Sequence, residues 1–162
     1  MESPLEIYAN IYMAGFFDGE GYIGLLKRIR KGKYLEYFIQ LSIGQNDGAI
    51  VDWIKDNFGG NCYVVKRDDS FYWTASNRSA YQILKRITPY LKYKKPQAEL
   101  ALKYFDEQLP RKQALSKEEF ARRKSIYEEL KRLKKVFAKS FYCNNVRVQR
   151  LNETTPKGDA TV

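Results

Sequence analysis

The sequence predicts a single α+β domain with the element order αββαββα and a basic helical extension behind it. Three observations carry that expectation. Apolar residues switch several times between helical spacing and strict alternation, the change of period that separates helices from strands. Glycine, proline and aspartate cluster where the period changes. Of the 162 residues, 44% are hydrophobic and 15% aromatic, far above the level of disordered chains, so a core can form.

Over residues 5–19, Leu5, Tyr8, Ile11, Tyr12, Ala14, Gly15 and Phe16 recur at helical spacing, and Pro4 suits a helix start. Gly19, Glu20 and Gly21 end that helix. Residues 22–30 and 34–43 flank a Lys-Gly-Lys turn at 31–33. The second run alternates Leu35, Tyr37, Ile39, Leu41 and Ile43 against Glu36, Phe38, Gln40 and Ser42, a hairpin strand with one buried face. Helical spacing returns over 47–58 through Ile50, Val51, Ile54 and Phe58, and Gly59 with Gly60 stops it. A second hairpin, 61–67 and 71–76, turns at Asp68, Asp69 and Ser70. Asn77 caps a helix over 77–87, which Thr88 and Pro89 end. After a short connector, a strong helix runs from Pro96 to Pro110 through Ala98, Ala101, Tyr104 and Phe105. Ser116 and Glu119 match a capping box, opening a charged helix that reaches about Phe137. The expected organisation is one domain over 1–139, with its core at 5–109 and the basic extension at 110–139. A polar, loosely ordered tail at 140–162 follows.

Charge and missing residue types narrow the function. The net charge is +10 and the pI about 9.5, which points to a polyanionic partner. Residues 1–109 hold 15 Lys and Arg against 13 Asp and Glu, whereas residues 110–162 hold 14 against 6, so the excess is mostly C-terminal. The chain has no histidine, which excludes Ser–His–Asp and Cys–His nucleophile activation and His-ligated zinc. Cys62 and Cys143 are too few and too far apart in sequence for a thiolate zinc cage or a disulfide framework, and read as reduced thiols in an intracellular setting. No apolar run approaches the roughly 20 residues that span a bilayer, and the opening residues carry Glu2 and Glu6 without a basic start. Neither a membrane partner nor a signal peptide is expected. Carboxylates, lysines, arginines, amides, tyrosines and a hard metal ion remain for chemistry.

The segment Met13-Ala14-Gly15-Phe16-Phe17-Asp18-Gly19-Glu20-Gly21 concentrates these groups. Gly15 and Gly19 are four apart, so they share a helical face on which another backbone can come close. Asp18 and Glu20 sit at the helix C-terminus, where they oppose the macrodipole unless a cation offsets them. A divalent ion ligated by oxygen, Mg²⁺ above all, suits that place. Equally compatible with the spacing is a core helix that simply ends in two acids beside a glycine turn.

At this segment the sequence resembles the LAGLIDADG homing endonucleases. Met13 replaces the first Leu of their signature, Phe16 and Phe17 its apolar pair, Gly19 its Ala and Glu20 its final Asp, all keeping size class or charge. Later stretches resemble the family too: Gln40-Leu41-Ser42-Ile43-Gly44-Gln45, Phe58-Gly59-Gly60, Tyr72-Trp73-Thr74-Ala75-Ser76-Asn77, and the Lys-rich connector from Pro89 to Ala98. The resemblance covers roughly residues 8–109. It implies an antiparallel saddle along the DNA major groove and, with one signature per chain, a homodimer on a long, pseudo-palindromic target. Ala14, Gly15, Asp18 and Gly19 would line the subunit interface. Glu20 matches the metal-ligating acid, with the Gly19 carbonyl a further ligand, and Gln45 and Lys94 match the active-site glutamine and lysine. The implied cofactor is Mg²⁺, or Mn²⁺ in its place, with Ca²⁺ binding but not supporting cleavage. The implied partner is double-stranded DNA, with no small-molecule substrate. The family's additional basic residue has no match, because Gly48, Ala49 and Ile50 occupy its region.

Strand parity then sorts the side chains expected to face DNA. They are Gly24, Leu26, Arg28 and Arg30 on the first strand and Tyr34, Glu36, Phe38, Gln40 and Ser42 on the second. Tyr63, Val65 and Arg67 follow on the third, and Tyr72 and Thr74 on the fourth. Arg to guanine, Gln to adenine and Glu to cytosine are the expected readouts. Basic residues off the strands, including the helix over 122–139, are expected on phosphates. The same scaffold also serves intron RNA maturases, and an inactive DNA-binding regulator is a third possibility. The resemblance further implies an intron-encoded protein, made and used in an organelle or microbe.

Overall fold

Ser3 opens the first helix with a reciprocal capping box: its Oγ accepts from the Glu6 N–H at 3.3 Å while its own N–H donates to Glu6 Oε2 at 2.7 Å. The computed structural model describes residues 3–30, 34–67, 69–107 and 116–143. The elements are α1 (Pro4–Glu20), β1 (Tyr22–Arg30), β2 (Tyr34–Gln45), α2 (Gly48–Phe58), β3 (Asn61–Val65) and β4 (Ser70–Ser76). They continue with α3 (Arg78–Ile87), a 3₁₀ turn (Thr88–Tyr90), α4 (Lys95–Asp106) and α5 (Lys117–Cys143). The αββαββα order stands. The hairpin tip at 31–33 and the tail from 144 onward lie outside the described residues.

All four strands form one antiparallel sheet in the order β1-β2-β4-β3. One face carries the core. Ile23 and Leu25 of β1, Tyr37, Ile39, Leu41 and Ile43 of β2, and Trp73 and Ala75 of β4 are buried against Met13, Ala14 and Phe17 of α1 and the apolar faces of α2 to α5. Toward the hairpin tip the same parity on β1 brings up Lys27 and Ile29, and both are exposed. The buried alternation of β2 is the one read from sequence.

Long-range polar contacts lock the layers. Tyr104 Oη of α4 donates to the Tyr37 carbonyl at 2.9 Å, and Trp73 Nε1 donates to the Gly59 carbonyl at 2.7 Å. A Cβ at Gly60, whose φ is +94°, would lie 2.6 Å from that same indole nitrogen, so glycine is required there on two counts. Arg86 of α3 donates to Asn10 Oδ1 of α1 at 3.1 Å and to the Asn57 carbonyl at 3.2 Å.

Some helix boundaries differ from expectation. Asn77 occupies the N-cap of α3 but makes no side-chain cap bond; it takes φ +51°, and its N–H donates to the Ile39 carbonyl at 2.9 Å, tying the turn to β2. Ser116 Oγ accepts from the Glu119 N–H at 3.2 Å, but the Glu119 carboxylate turns to Arg122 and Arg123. With its last turns still helical at Cys143, α5 runs beyond Phe137 into the segment expected to be tail. Among the described residues no helix is long and apolar enough to cross a membrane.

Candidate functional site

Everything that distinguishes the C-terminal end of α1 comes from one exchange with the connector ahead of α4. Gly21 N–H closes the helix on the Phe17 carbonyl at 2.9 Å. The Asp18 carboxylate leaves the helix and accepts three backbone N–H bonds, from Lys92 at 2.7 Å, Tyr93 at 3.1 Å and Lys94 at 2.7 Å. In return Lys94 sends its ammonium back to α1, donating to the carbonyls of Phe17 at 3.0 Å, of Asp18, and of Gly19 at 3.3 Å. A carboxylate thus faces a helix start and an ammonium faces a helix end, each the favourable sign for the local dipole. Burial pushes the Lys94 ammonium below its ordinary pKa, while Asp18 and Glu20 pull it back up.

Glu20 follows this clasp on the exposed side, and Gln45 is the last residue of β2. Tyr22 pairs with Ser42, so the end of β2 that holds Gln45 extends past the start of β1 toward the turn that holds Glu20. Lys94 thus sits on the Gly19 carbonyl next to Glu20 in the chain, and the register puts Gln45 at the same end of the sheet. Glu20 and the Gly19 carbonyl are hard oxygen donors of the kind Mg²⁺ takes alongside phosphate oxygens. Among the described residues no three acidic, His or Cys groups assemble.

The outer face of α1 presents Leu5, Tyr8, Ile11 and Tyr12, with Leu5 81% and Tyr8 72% exposed. Along the same face Gly15 and Gly19 are exposed, and a Cβ on either would meet nothing within 4 Å. Of the four residues expected at an interface, these two glycines lie on that face. Ala14 is instead enclosed in the chain's own core, and Asp18 is bound to the connector.

Opposite the core, the sheet presents the side chains sorted by parity. The register sets Leu26 beside Phe38, Arg28 beside Glu36, Gln40 beside Ser76, Ser42 beside Thr74 and Tyr63 beside Tyr72. Tyr63 and Tyr72 stack with ring centroids 5.7 Å apart, and Val65 is half-buried. Arg28 Nε bonds Glu36 Oε2 at 2.8 Å while its guanidinium lies 4.8 Å from the Phe38 ring centroid. Gly24 shares the face but is buried, because the Tyr22 ring fills the space where its Cβ would stand. Tyr22, Asn61 and Ser76 also belong to this face and were missed; extending the alternation two residues from Gly24, Tyr63 and Thr74 finds them. The side chains of Arg30 and Tyr34 and the whole of Asp68 lie outside the described residues, and Arg67 is exposed in the turn after β3.

Helix α5 follows the edge strand β1. Ile126 and Leu130 are buried in the core. Lys27 lies 4.2 Å from the Tyr127 ring centroid, and Lys134 lies 3.7 Å from that of Tyr22. Lys131 and Lys134 line a cleft of about 290 Å³ with Tyr22, Leu26 and Tyr127. Arg122 and Arg123 do not join them, since Glu119 binds both, at 2.7 and 2.6 Å, and Glu107 of the α4 C-terminus binds Arg122 at 2.7 Å. The two arginines hold the Glu119 carboxyl down to about 2.

The LAGLIDADG endonuclease family pattern matches residues 13–108. Among solved structures, the archaeal intron-encoded homing endonuclease I-Vdi141I complexed with DNA is 17% identical, with 79% of this chain and 85% of that one covered at TM-score 0.68. The homing endonuclease I-CvuI in complex with the I-CreI target in Mg is 19% identical over 81% of this chain and 98% of that one, at TM-score 0.61. The homing endonuclease I-TnaI is 19% identical over 79% and 97%, at TM-score 0.58. No curated protein matches the chain.

Proposed function

The chain belongs to the LAGLIDADG endonuclease family, and from that premise we propose that it is an intron-encoded homing endonuclease, a homodimer that cuts both strands of a long pseudo-palindromic DNA site. The observation that carries this reading is the end of α1: an exposed acid, a backbone carbonyl and a lysine meet where the helix's outer face is apolar and open at Gly15 and Gly19. Two copies packed along that face bring their Glu20 residues together at the two-fold axis, one for each strand. The I-CvuI structures, solved on DNA with Ca or Mg, are consistent with a divalent cation in such a fold.

In this reading Glu20 and the Gly19 carbonyl would hold Mg²⁺, which when bound would supply Lewis-acid polarisation of a phosphate and acidify a water. Gln45 orients that water by hydrogen bonding, and Lys94 offsets negative charge beside the phosphate. The exposed sheet face lies in the major groove, with Leu26 and Phe38 against thymine methyls and Gln40 within reach of adenine. Arg28 reaches guanine, and Glu36 cytosine, only by opening the ion pair that joins them. Lys131 and Lys134 touch phosphates beside β1. Expression in the compartment that holds the intron completes the proposal.

The test is cleavage of a randomised or intron-flanking DNA library with and without Mg²⁺, comparing wild type with Glu20→Gln. Metal-dependent double-strand cutting that falls at least about a hundredfold in the variant is the expected result. Binding without cutting overturns it in favour of a regulator, and preference for intron RNA favours a maturase.

A further inference from the structure

The last turn of α1 contains no basic residue of its own, although it ends in Asp18 and Glu20 and in the carbonyls of Phe17, Asp18 and Gly19. Asp18 is answered by the three N–H groups of residues 92–94. Among the described residues the helix end is answered by Lys94, which arrives from the N-cap of α4, spreads its protons over the three carbonyls and stands within electrostatic reach of Glu20. We propose that Lys94 is the resident counter-charge that lets two α1 helices meet along their Gly15 and Gly19 faces before a divalent ion arrives, a role that rests on the homodimer proposed above.

Charge explains the need. A helix C-terminus carries about −0.5 and Glu20 adds a full negative charge, so these two alone bring about −1.5 to the meeting point, of which Lys94 offsets one full charge. Like charges set together in an interface oppose association strongly. Lys94 also occupies the Gly19 carbonyl, the atom proposed to ligate the metal. The ammonium and a divalent ion are therefore interchangeable counter-charges at one oxygen, and either suffices for association.

Sedimentation equilibrium of the full chain without DNA, in EDTA and in Mg²⁺, tests this for wild type, Lys94→Met, Glu20→Gln and the double variant. Wild type should dimerise in both buffers. Lys94→Met should weaken the dimer at least about tenfold in EDTA, with Mg²⁺ restoring it and Glu20→Gln restoring it without metal. A Lys94→Met dimer as tight as wild type in EDTA overturns the proposal, as does weakening that neither Mg²⁺ nor Glu20→Gln repairs. A wild type monomeric in both buffers overturns the homodimer reading itself. Should circular dichroism show Lys94→Met unfolded, Lys94→Gln, which keeps a donor for the carbonyls without the charge, takes its place: it should weaken the dimer in EDTA in the same way, and a dimer as tight as wild type overturns the proposal.

Discussion

Two charged junctions flank α4, and they are built on opposite principles. At its start, Asp18 and Lys94 ignore each other's side chains and bind backbone: a carboxylate on three N–H groups, an ammonium on three carbonyls. At its end, Glu119, Arg122, Arg123 and Glu107 bind one another chiefly side chain to side chain, with a single bond from Arg122 to the Glu107 carbonyl. The second junction neutralises itself and only fastens α5. The first fixes where a backbone carbonyl, a lysine and the turn to Glu20 stand, and it leaves Glu20 exposed. Charged side chains aimed at backbone set geometry, because main-chain groups cannot swing to follow a misplaced partner. Those aimed at side chains set adhesion.

Breaking the first junction should cost most. Asp18→Ala removes the acceptor of three N–H groups and should destabilise the fold by about 2–4 kcal/mol in urea unfolding, with Asp18→Asn recovering part of that loss. Glu119→Gln should cost less, about 1–2 kcal/mol at neutral pH. Its cost should also depend on pH. The Glu119 carboxyl titrates near 2 in the folded protein against 4.5 ordinarily. Its contribution is therefore complete above about pH 4.5 and fades as the pH falls toward 2, where wild type and variant should converge in thermal melts. Arg122→Ala leaves Glu119 with Arg123 and should cost about 1 kcal/mol, separable from the Asp18 effect by leaving DNA cleavage intact. The smallest change sharpens the contrast within α5: Lys131→Ala and Lys134→Ala should leave stability unchanged while lowering the slope of log affinity against log salt by about 0.9 for each phosphate no longer neutralised.

Much of this was legible in the sequence, for reasons that particular residues make plain. The strict alternation from Leu35 to Ile43 was sufficient to separate a core face from an open one, because a strand has only two faces and five apolar side chains in register can bury only one way. Gly59 and Gly60 announced the end of α2, and Gly15 with Gly19 the open face of α1. Ser3 and Glu6 also spell a capping box, a signal for the start of α1 that stands beside the one from Pro4. Gly24 lies on the face that parity predicts yet is covered, since the ring that fills its space comes from Tyr22 two residues back on the same side.

The sequence by itself determined the order of elements, the parity of the sheet and the acidic, glycine-bearing end of α1, because all of these follow from periods of two to four residues along the chain. Only the tertiary structure decided what those charges face. Asp18 and Lys94 meet across 76 positions, and Arg122 reaches Glu107 at the C-cap of α4, fifteen residues away, as well as its own Glu119. No local period encodes such pairings. They exist because burying the apolar faces of α1 and α4 against one sheet brings the end of one helix to the start of the other, and the charges there bind what the packing has put within reach.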